Sequence, residues 1–262
     1  MVEQGKRRST GSRFCHHALP RAVAFSFPLI RKPMSLPSAE ERAEWSFDRR
    51  RERLVRTLRE RGIEDERVLE AIGRVPRHRF VEPGLRHRAY NDEALPIGRD
   101  QTISQPFTVA YQTMLLGVTP RMKVLEVGTG SGYQAAVLCE LGARVFSIER
   151  HADLLSRTRD LLRTLGYRIT AKSGDGSNGW RAFAPYDGII VTAGATAVPD
   201  ALVDQLRAPE AETEDARGGR LVIPVGDRES QEMLRITRTG PEAVQRESFG
   251  DFRFVPLVSD GD

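Results

Sequence analysis

The 262-residue chain is 39% hydrophobic and 29% charged, the balance of a globular protein with one large α/β domain and additions. No stretch approaches the ~20 consecutive apolar residues of a membrane-spanning helix, so no membrane partner is expected. The net charge of +4 belongs to the start of the chain: Lys6, Arg7, Arg8, Arg13, Arg21, Arg31 and Lys32 against Glu3 give residues 1–33 a charge of +6, and +4 less +6 leaves −2 for the rest.

With no basic excess in its body, the chain is not expected to bind nucleic acid. Residues 1–37 carry a short apolar patch, 22–30, that Pro28 interrupts and Arg31 and Lys32 follow, unlike the continuous apolar region of a signal peptide. A disordered basic extension is the expectation, with translation starting at Met34 as an alternative. The cysteines, Cys15 and Cys139, make neither a disulfide framework nor a zinc site. No metal is expected, and a reducing cytoplasm is the expected compartment.

A first helix is predicted over 39–61, with Ser38 and Glu41 as a capping box and Gly62 as its stop. Leu54, Val55 and Leu58 form its apolar stripe, and its arginines a solvated face. A short helix follows over 65–72. Residues 77–107 are rich in Arg, His, Gly and Pro and have little periodicity. A long irregular segment beside a core domain is more often functional than idle. His78 and His87 within it are read as surface or loop-packing residues. A helix over 107–116 then precedes an alternation of strands (123–128, 144–149, 168–173, 187–192, 220–225) and helices (132–141, 152–165, 199–206). That is the pattern of a doubly wound, mostly parallel Rossmann-like sheet. Residues 208–219 read as an acidic surface loop. Residues 233–238 and 251–258 read as two final strands, an antiparallel C-terminal addition.

The most informative stretch is the apolar run 124–127 meeting Gly128, Gly130 and Gly132 before a helical pattern. Glycines at such a turn let the backbone reach positive φ and let a ligand lie against the main chain. Glu149 ends the next strand, where a carboxylate can accept from ribose hydroxyls. A dinucleotide fingerprint would need a glycine where Tyr133 stands. That spacing, with Glu126 placed in the strand where its carboxylate can face the ligand, favours S-adenosylmethionine over NAD. After the third strand, Asp175 between Gly174 and Gly176 can accept from an adenine amino group, although a plain Asp-Gly turn is the simpler reading. After the fourth strand, Thr192, Ala193, Gly194 and Ala195 stand where amino-group methyltransferases often carry Asn-Pro-Pro-Tyr. A base or amide nitrogen is therefore disfavoured as methyl acceptor.

Eight segments (75–81, 94–98, 101–106, 124–133, 174–176, 187–193, 221–226 and 253–257) together resemble the protein-L-isoaspartate O-methyltransferase family. The resemblance spans about Arg49 to Val258. Its most specific part is the run Gln101, Thr102, Ile103, Ser104, Gln105, Pro106. It implies an S-adenosylmethionine-dependent enzyme, acting as a monomer on isoaspartyl peptides and on unfolded or aged proteins. The α-carboxylate of an L-isoaspartyl residue is methylated, and the ester closes to a succinimide that water reopens, which initiates repair. The domain division that follows is a substrate-side part, 38–107, and a cofactor-binding core with C-terminal strands, 108–262. Carried over residue by residue, Ser104 is the active-site residue. Ile103, Ser104, Glu126, Gly128, Gly130, Gly132, Glu149, Asp175 and Gly176 line the cofactor site. Phe254, Val255 and Pro256 help Ser104 hold the substrate.

The extension 1–37 and the acidic loop depart from the compact bacterial forms without touching these motifs. A free carboxylate, with a reference pKa near ~3.9, needs no base to attack a sulfonium methyl. Alignment and removal of water are therefore expected to carry catalysis, with Ser104 as a hydrogen-bond donor rather than a nucleophile. The 82–106 segment is expected to wall the substrate groove, a moving lid being one form of it. The competing readings are a same-fold methyltransferase acting on a small molecule or RNA, a non-catalytic binding protein tethered by its tail, and, more distantly, an NAD oxidoreductase.

Overall fold

The structure is a computed structural model that describes residues 38–210 and 218–257. The expectations for residues 1–37, for the side chain of Glu41 and for most of the acidic loop lie outside those residues.

The first helix, α1 (Ala39–Glu60), buries Leu54 and Leu58 and packs on α2 (Glu66–Arg74). The α2 residues Val68, Leu69, Ala71 and Ile72 make one apolar face, at the 3.6-residue spacing of a half-buried helix. Asp65 caps α2 by accepting from the Arg67 N–H at 3.0 Å.

The segment expected to be irregular has more structure than its sequence suggests. Two short 3-10 turns, Arg77–Arg79 and Pro83–Arg88, lead to a hairpin of β1 (Leu95–Gly98) and β2 (Gln101–Ile103). Its turn residues, Arg99 (φ 57°) and Asp100 (φ 54°), both hold the left-handed conformation that a mirror-image two-residue turn requires. Neither Asn-Gly nor Asp-Gly marks the turn, which is why the hairpin is hidden in the sequence. His78 is buried rather than at the surface. It stacks on Phe47 with ring centroids 4.1 Å apart, and its Nδ1 lies 2.8 Å from the Tyr90 hydroxyl. It is a packing residue, and burial lowers its pKa.

After α3 (Pro106–Leu116) the chain alternates: β3 (Lys123–Val127), α4 (Tyr133–Glu140), β4 (Arg144–Glu149), α5 (Ala152–Thr164), β5 (Thr170–Ser173), β6 (Gly188–Val191), α6 (Asp200–Val203) and β7 (Arg220–Gly226). The expected helix at 199–206 is thus a single turn. With β8 (Gln231–Arg238) and β9 (Val244–Phe252), these strands form a seven-stranded sheet in the order β5-β4-β3-β6-β7-β8-β9. The first five are parallel, and β8 and β9 are antiparallel.

Both faces of the sheet are covered. Val124, Ile190 and Val222 pack into one core, and their neighbours Leu125, Ile189 and Leu221 into the other. A parallel strand buried on both sides reads as a continuous apolar run, which is what made these strands visible. The chain runs outward from β3 through β4 to β5, then returns to β6 on the other side. That reversal between β3 and β6 is the topological switch point, where ligands bind at strand C-terminal ends.

The last strand needs a correction. The expected strand at 251–258 is β9, Val244–Phe252, and the chain then leaves the sheet. As an edge strand paired only with β8, β9 carries exposed Gln245, Arg246 and Ser248, so it lacks an apolar signal. The apolar run beyond it lies instead against the loop after β6: Gly194 donates to the Val255 carbonyl (2.8 Å) and accepts from the Leu257 N–H (2.7 Å). Pro256 has no N–H to give a ladder.

Candidate active site

A cleft of ≈ 830 Å³, counted to its open mouth, lies over the switch point. Its floor is the C-terminal ends of β3, β4, β5 and β6. Residues 101–104 and 255–257 close it from above. The turn after β3 is held from three sides. Glu149 Oε2, at the end of β4, accepts from the Gly130 N–H at 2.8 Å. Thr158 of α5 donates to the Gly130 carbonyl at 2.7 Å. Thr192, after β6, donates to the Gly128 carbonyl at 2.7 Å. Gly128 and Gly132 have φ of 94° and 87°, and a Cβ would meet Thr192 Oγ1 at 2.4 Å in the first and Thr158 Cγ2 at 2.7 Å in the second. Only glycine permits that approach.

The three acids assigned from sequence are placed differently. Glu149 lines the cleft, and its Oε1 also accepts from the His151 N–H at 3.0 Å. Each of its oxygens keeps a lone pair for a ligand. Glu126 does not line the cleft. It is fully buried behind the turn, accepting from the Ser147 hydroxyl on β4, and its Oε1 has no partner. Burial first, then the nearby Glu149 charge, push its carboxyl up to about 8. Asp175 is absent from the cleft wall, whereas Gly174 and Gly176 are on it. Its carboxylate accepts from the Ser177 N–H (2.8 Å), the Ser177 hydroxyl (2.7 Å) and the Asn178 amide (3.1 Å), so the Asp-Gly turn reading describes its geometry.

Beside this cleft lies a second cavity, ≈ 1260 Å³ to its mouth, lined by Arg61 of the turn between α1 and α2, the 92–94 loop, α3 and the 251–255 segment. Thr102, Ser104, Thr192 and Val255 line both cavities. Ile103 and Pro256 line the first and Phe254 the second. The Ser104 hydroxyl makes no hydrogen bond among the described residues. Ser104 does not cap α3 either: Gln105 holds the N-cap position, without a side-chain cap bond.

Sequence reasoning gave no role to two residues, Asp92 and Gln134. Asp92 Oδ1 accepts from the Phe107 N–H at 2.8 Å, serving the first turn of α3 from a distant loop, while its other oxygen pairs with Arg61. Gln134 lines the cleft with its Nε2 donated to Thr113 at 2.9 Å and its Oε1 unpartnered. The spacing of Gln134 after the turn was the one available signal.

The cleft thus offers a glycine turn, the Glu149 carboxylate and apolar walls from Ile103, Val127 and Ile148. It lacks the third glycine that brings a helix up to a pyrophosphate. Fold and cleft together define an S-adenosylmethionine-dependent methyltransferase. Comparison with known proteins narrows the class. Over residues 49–262 the chain matches the model of the protein-L-isoaspartate(D-aspartate) O-methyltransferase family, and it belongs to that family. It is 65% identical over 216 residues to a protein-L-isoaspartate O-methyltransferase of Salinibacter ruber, covering 82% of this chain and 94% of the relative. It is 52% identical over 208 residues to one from Cytophaga hutchinsonii, covering 79% and 90%. A solved protein-L-isoaspartate O-methyltransferase is similar with a TM-score of 0.69 at 26% identity, over 80% of this chain and 66% of that one. A putative Plasmodium falciparum enzyme in complex with S-adenosyl-L-homocysteine shares the fold with a TM-score of 0.68 at 23% identity, over 79% and 98%.

Proposed function

We propose that the chain methylates the α-carboxylate of L-isoaspartyl residues, with the cofactor in the glycine-turn cleft, the peptide in the second cavity, and the two meeting at Ser104. The observation that carries this reading is the placement of an unengaged hydroxyl on the wall common to both cavities. S-adenosylmethionine, when bound, supplies a methyl group on a positively charged sulfur. The residues of the chain then have to align an acceptor and exclude water. Ser104 donates to one oxygen of the substrate carboxylate and leaves the other directed at the first cleft. No base is needed, because the acceptor is already ionised at neutral pH. Alignment of this kind contributes up to ~7–11 kcal/mol in favourable cases.

Glu149 takes the ribose, and the main chain of Gly128 and Gly130 lies under the ligand. Gly176 gives the adenine a flat wall. Asp175 shapes that wall through its turn, and Glu126 supports the glycine turn from behind. On the peptide side, the Val255 N–H makes no hydrogen bond among the described residues, which suits an extended substrate strand beside Phe254 and Pro256. Such a substrate must come from an exposed, flexible segment of an aged or unfolded protein.

The reading also takes the enzyme to be a cytoplasmic monomer. Among the described residues, no helix is long and apolar enough to cross a membrane. The decisive assay offers an isoaspartyl peptide, its aspartyl twin and bulk RNA with methyl-labelled cofactor. Label is expected in the isoaspartyl peptide alone, and equal labelling of the twin refutes the assignment.

A further inference from the structure

Within the 75–81 motif, Arg77 has no role in the reading above, yet it is the largest fully buried side chain of the described structure. It lines neither cavity. Its Nε donates to the Ala89 carbonyl at 2.8 Å, and its Nη2 to the Ser104 carbonyl at 2.8 Å and, more weakly, to the Glu93 carbonyl at 3.4 Å. Its guanidinium carbon sits 4.6 Å from the centroid of the Tyr133 ring. Tyr133 opens α4 directly after the glycine turn and lines the cofactor cleft. Among the described residues Arg77 has no carboxylate partner. Burial lowers its pKa to about 10, so it remains a cation at neutral pH.

A buried charge without a counter-ion is a poor device for stability, since desolvation costs more than carbonyl dipoles return. It is a good device for geometry. The planar fork of an arginine reaches carbonyls of two separate segments at once while its face rests on an aromatic ring, which the single point of a lysine ammonium cannot do. The Ser104 side has a matching peculiarity. Its carbonyl bond from Arg77 is the sole hydrogen bond Ser104 makes among the described residues. The flanking residues are held otherwise: Ile103 pairs with Leu95, and Gln105 donates to the Asp92 carbonyl at 3.0 Å.

We propose that Arg77 is a positioning residue for methyl transfer: it clamps the Ser104 main chain to a buried guanidinium seated on Tyr133, and so sets the serine hydroxyl in register with the helix that follows the glycine turn. The inference rests on the role given to Ser104. Arg77 touches neither substrate nor cofactor. It acts through Ser104 on one side and takes its reference from the cofactor helix on the other.

The test is a double-mutant cycle between Arg77→Lys and Ser104→Ala, read as kcat and KM with an isoaspartyl peptide and as S-adenosylhomocysteine affinity. Arg77→Lys alone is expected to lower kcat/KM at least about tenfold, mostly in kcat, while changing S-adenosylhomocysteine affinity by less than about threefold. In the Ser104→Ala background the same change is expected to cost less than about threefold, because the group being positioned is gone. Equal losses in both backgrounds make Arg77 a general structural element and overturn the proposal, as does Arg77→Lys at full activity. Arg77→Met, in which the buried charge is replaced by apolar volume, is read through the same cycle should the lysine variant not fold. If neither variant binds S-adenosylhomocysteine, the guanidinium is a folding element and the positioning role falls. A Ser104→Ala single variant with undiminished turnover is a separate result: it removes the role of Ser104 itself.

Discussion

Ser104→Ala isolates the central claim because the structure predicts that it costs the folded protein nothing. The hydroxyl donates to no described residue, and the Ser104 hydrogen bond that exists is made by its carbonyl, which alanine keeps. The stability change should stay within ~0.5 kcal/mol, the range of substitutions that break no partner. In the substrate complex the same hydroxyl meets an ionised carboxylate, and a hydrogen bond of that kind is worth ~1.5–3 kcal/mol. At 1.4 kcal/mol per factor of ten, kcat/KM should fall by about 10- to 150-fold. The location of the loss is informative. The acceptor oxygens lose negative charge as the methyl arrives, so a bond that merely held the carboxylate would be stronger before the transition state than in it, and its removal would raise KM. A bond that aims the oxygen is missed in kcat. Initial rates with labelled cofactor over a range of isoaspartyl peptide concentrations separate the two. A thermal melt and calorimetry with S-adenosylhomocysteine complete the measurement, the cofactor affinity staying within about tenfold. A variant with kcat/KM within threefold of the parent, or one that melts several degrees lower, refutes the reasoning: the first denies the contact, the second the free hydroxyl.

Three further predictions follow from the acids and the turn. Glu149→Gln keeps one oxygen but opposes an amide NH₂ to either the Gly130 or the His151 N–H, and it weakens the ribose acceptor. S-adenosylhomocysteine affinity should drop about tenfold or more by calorimetry, from ~1.5–3 kcal/mol of charge-assisted bonding, and an equal affinity would take the acid out of the cofactor site. Glu126, held at about 8 in the fold against an ordinary carboxyl value of 4.5, stays protonated where the unfolded chain has released its proton. Its contribution to stability is therefore full below pH 4.5 and is lost as pH rises to about 8. Glu126→Gln, which mimics the neutral form, should show a flatter fall of Tm than the parent across that window, and parallel melting curves would contradict the raised value. Gly176→Ala would place a Cβ 2.3 Å from Val127 Cγ1, on a central strand with no room to withdraw. Overpacking of ~1–3 kcal/mol should lower Tm by several degrees and weaken cofactor binding, whereas an unchanged melt would mean the wall is softer than drawn.

The parts of the molecule legible in its sequence are those built from neighbours along the chain. The parallel strands β3, β4, β6 and β7 show as apolar runs because both faces are covered. The glycine turn and Glu149 follow from spacing because turn and strand end are local features. Legibility fails where tertiary pairing decides. Nothing local distinguishes a Glu126 facing the ligand from one facing the interior. Its orientation becomes clear only from the register that sets it against Ser147 of β4. Asp175 spends its carboxylate on its own turn, a local competition that an Asp-Gly-Ser-Asn run foreshadows. The β1–β2 hairpin is hidden by turn residues of unusual type, and β9 by the polarity of an edge.

That division follows the two halves of the site. The cofactor half hangs on consecutive strand ends, so a short motif suffices to specify it, and folds with different acceptors can share that motif. The acceptor half is assembled from Arg61, the 92–94 loop, 102–108, Ser230 and 251–255, pieces far apart in the chain. Selectivity for the methyl acceptor must reside in that half, since the cofactor makes the same demands whatever is methylated. Ser104 belongs to both halves because the β1–β2 hairpin delivers it to the switch point, while Arg77 reaches it, and Asp92 its neighbours Gln105 and Phe107, from outside. The short run ending at Pro106 is therefore more diagnostic than the glycine turn for a physical reason: its position depends on the acceptor side having folded.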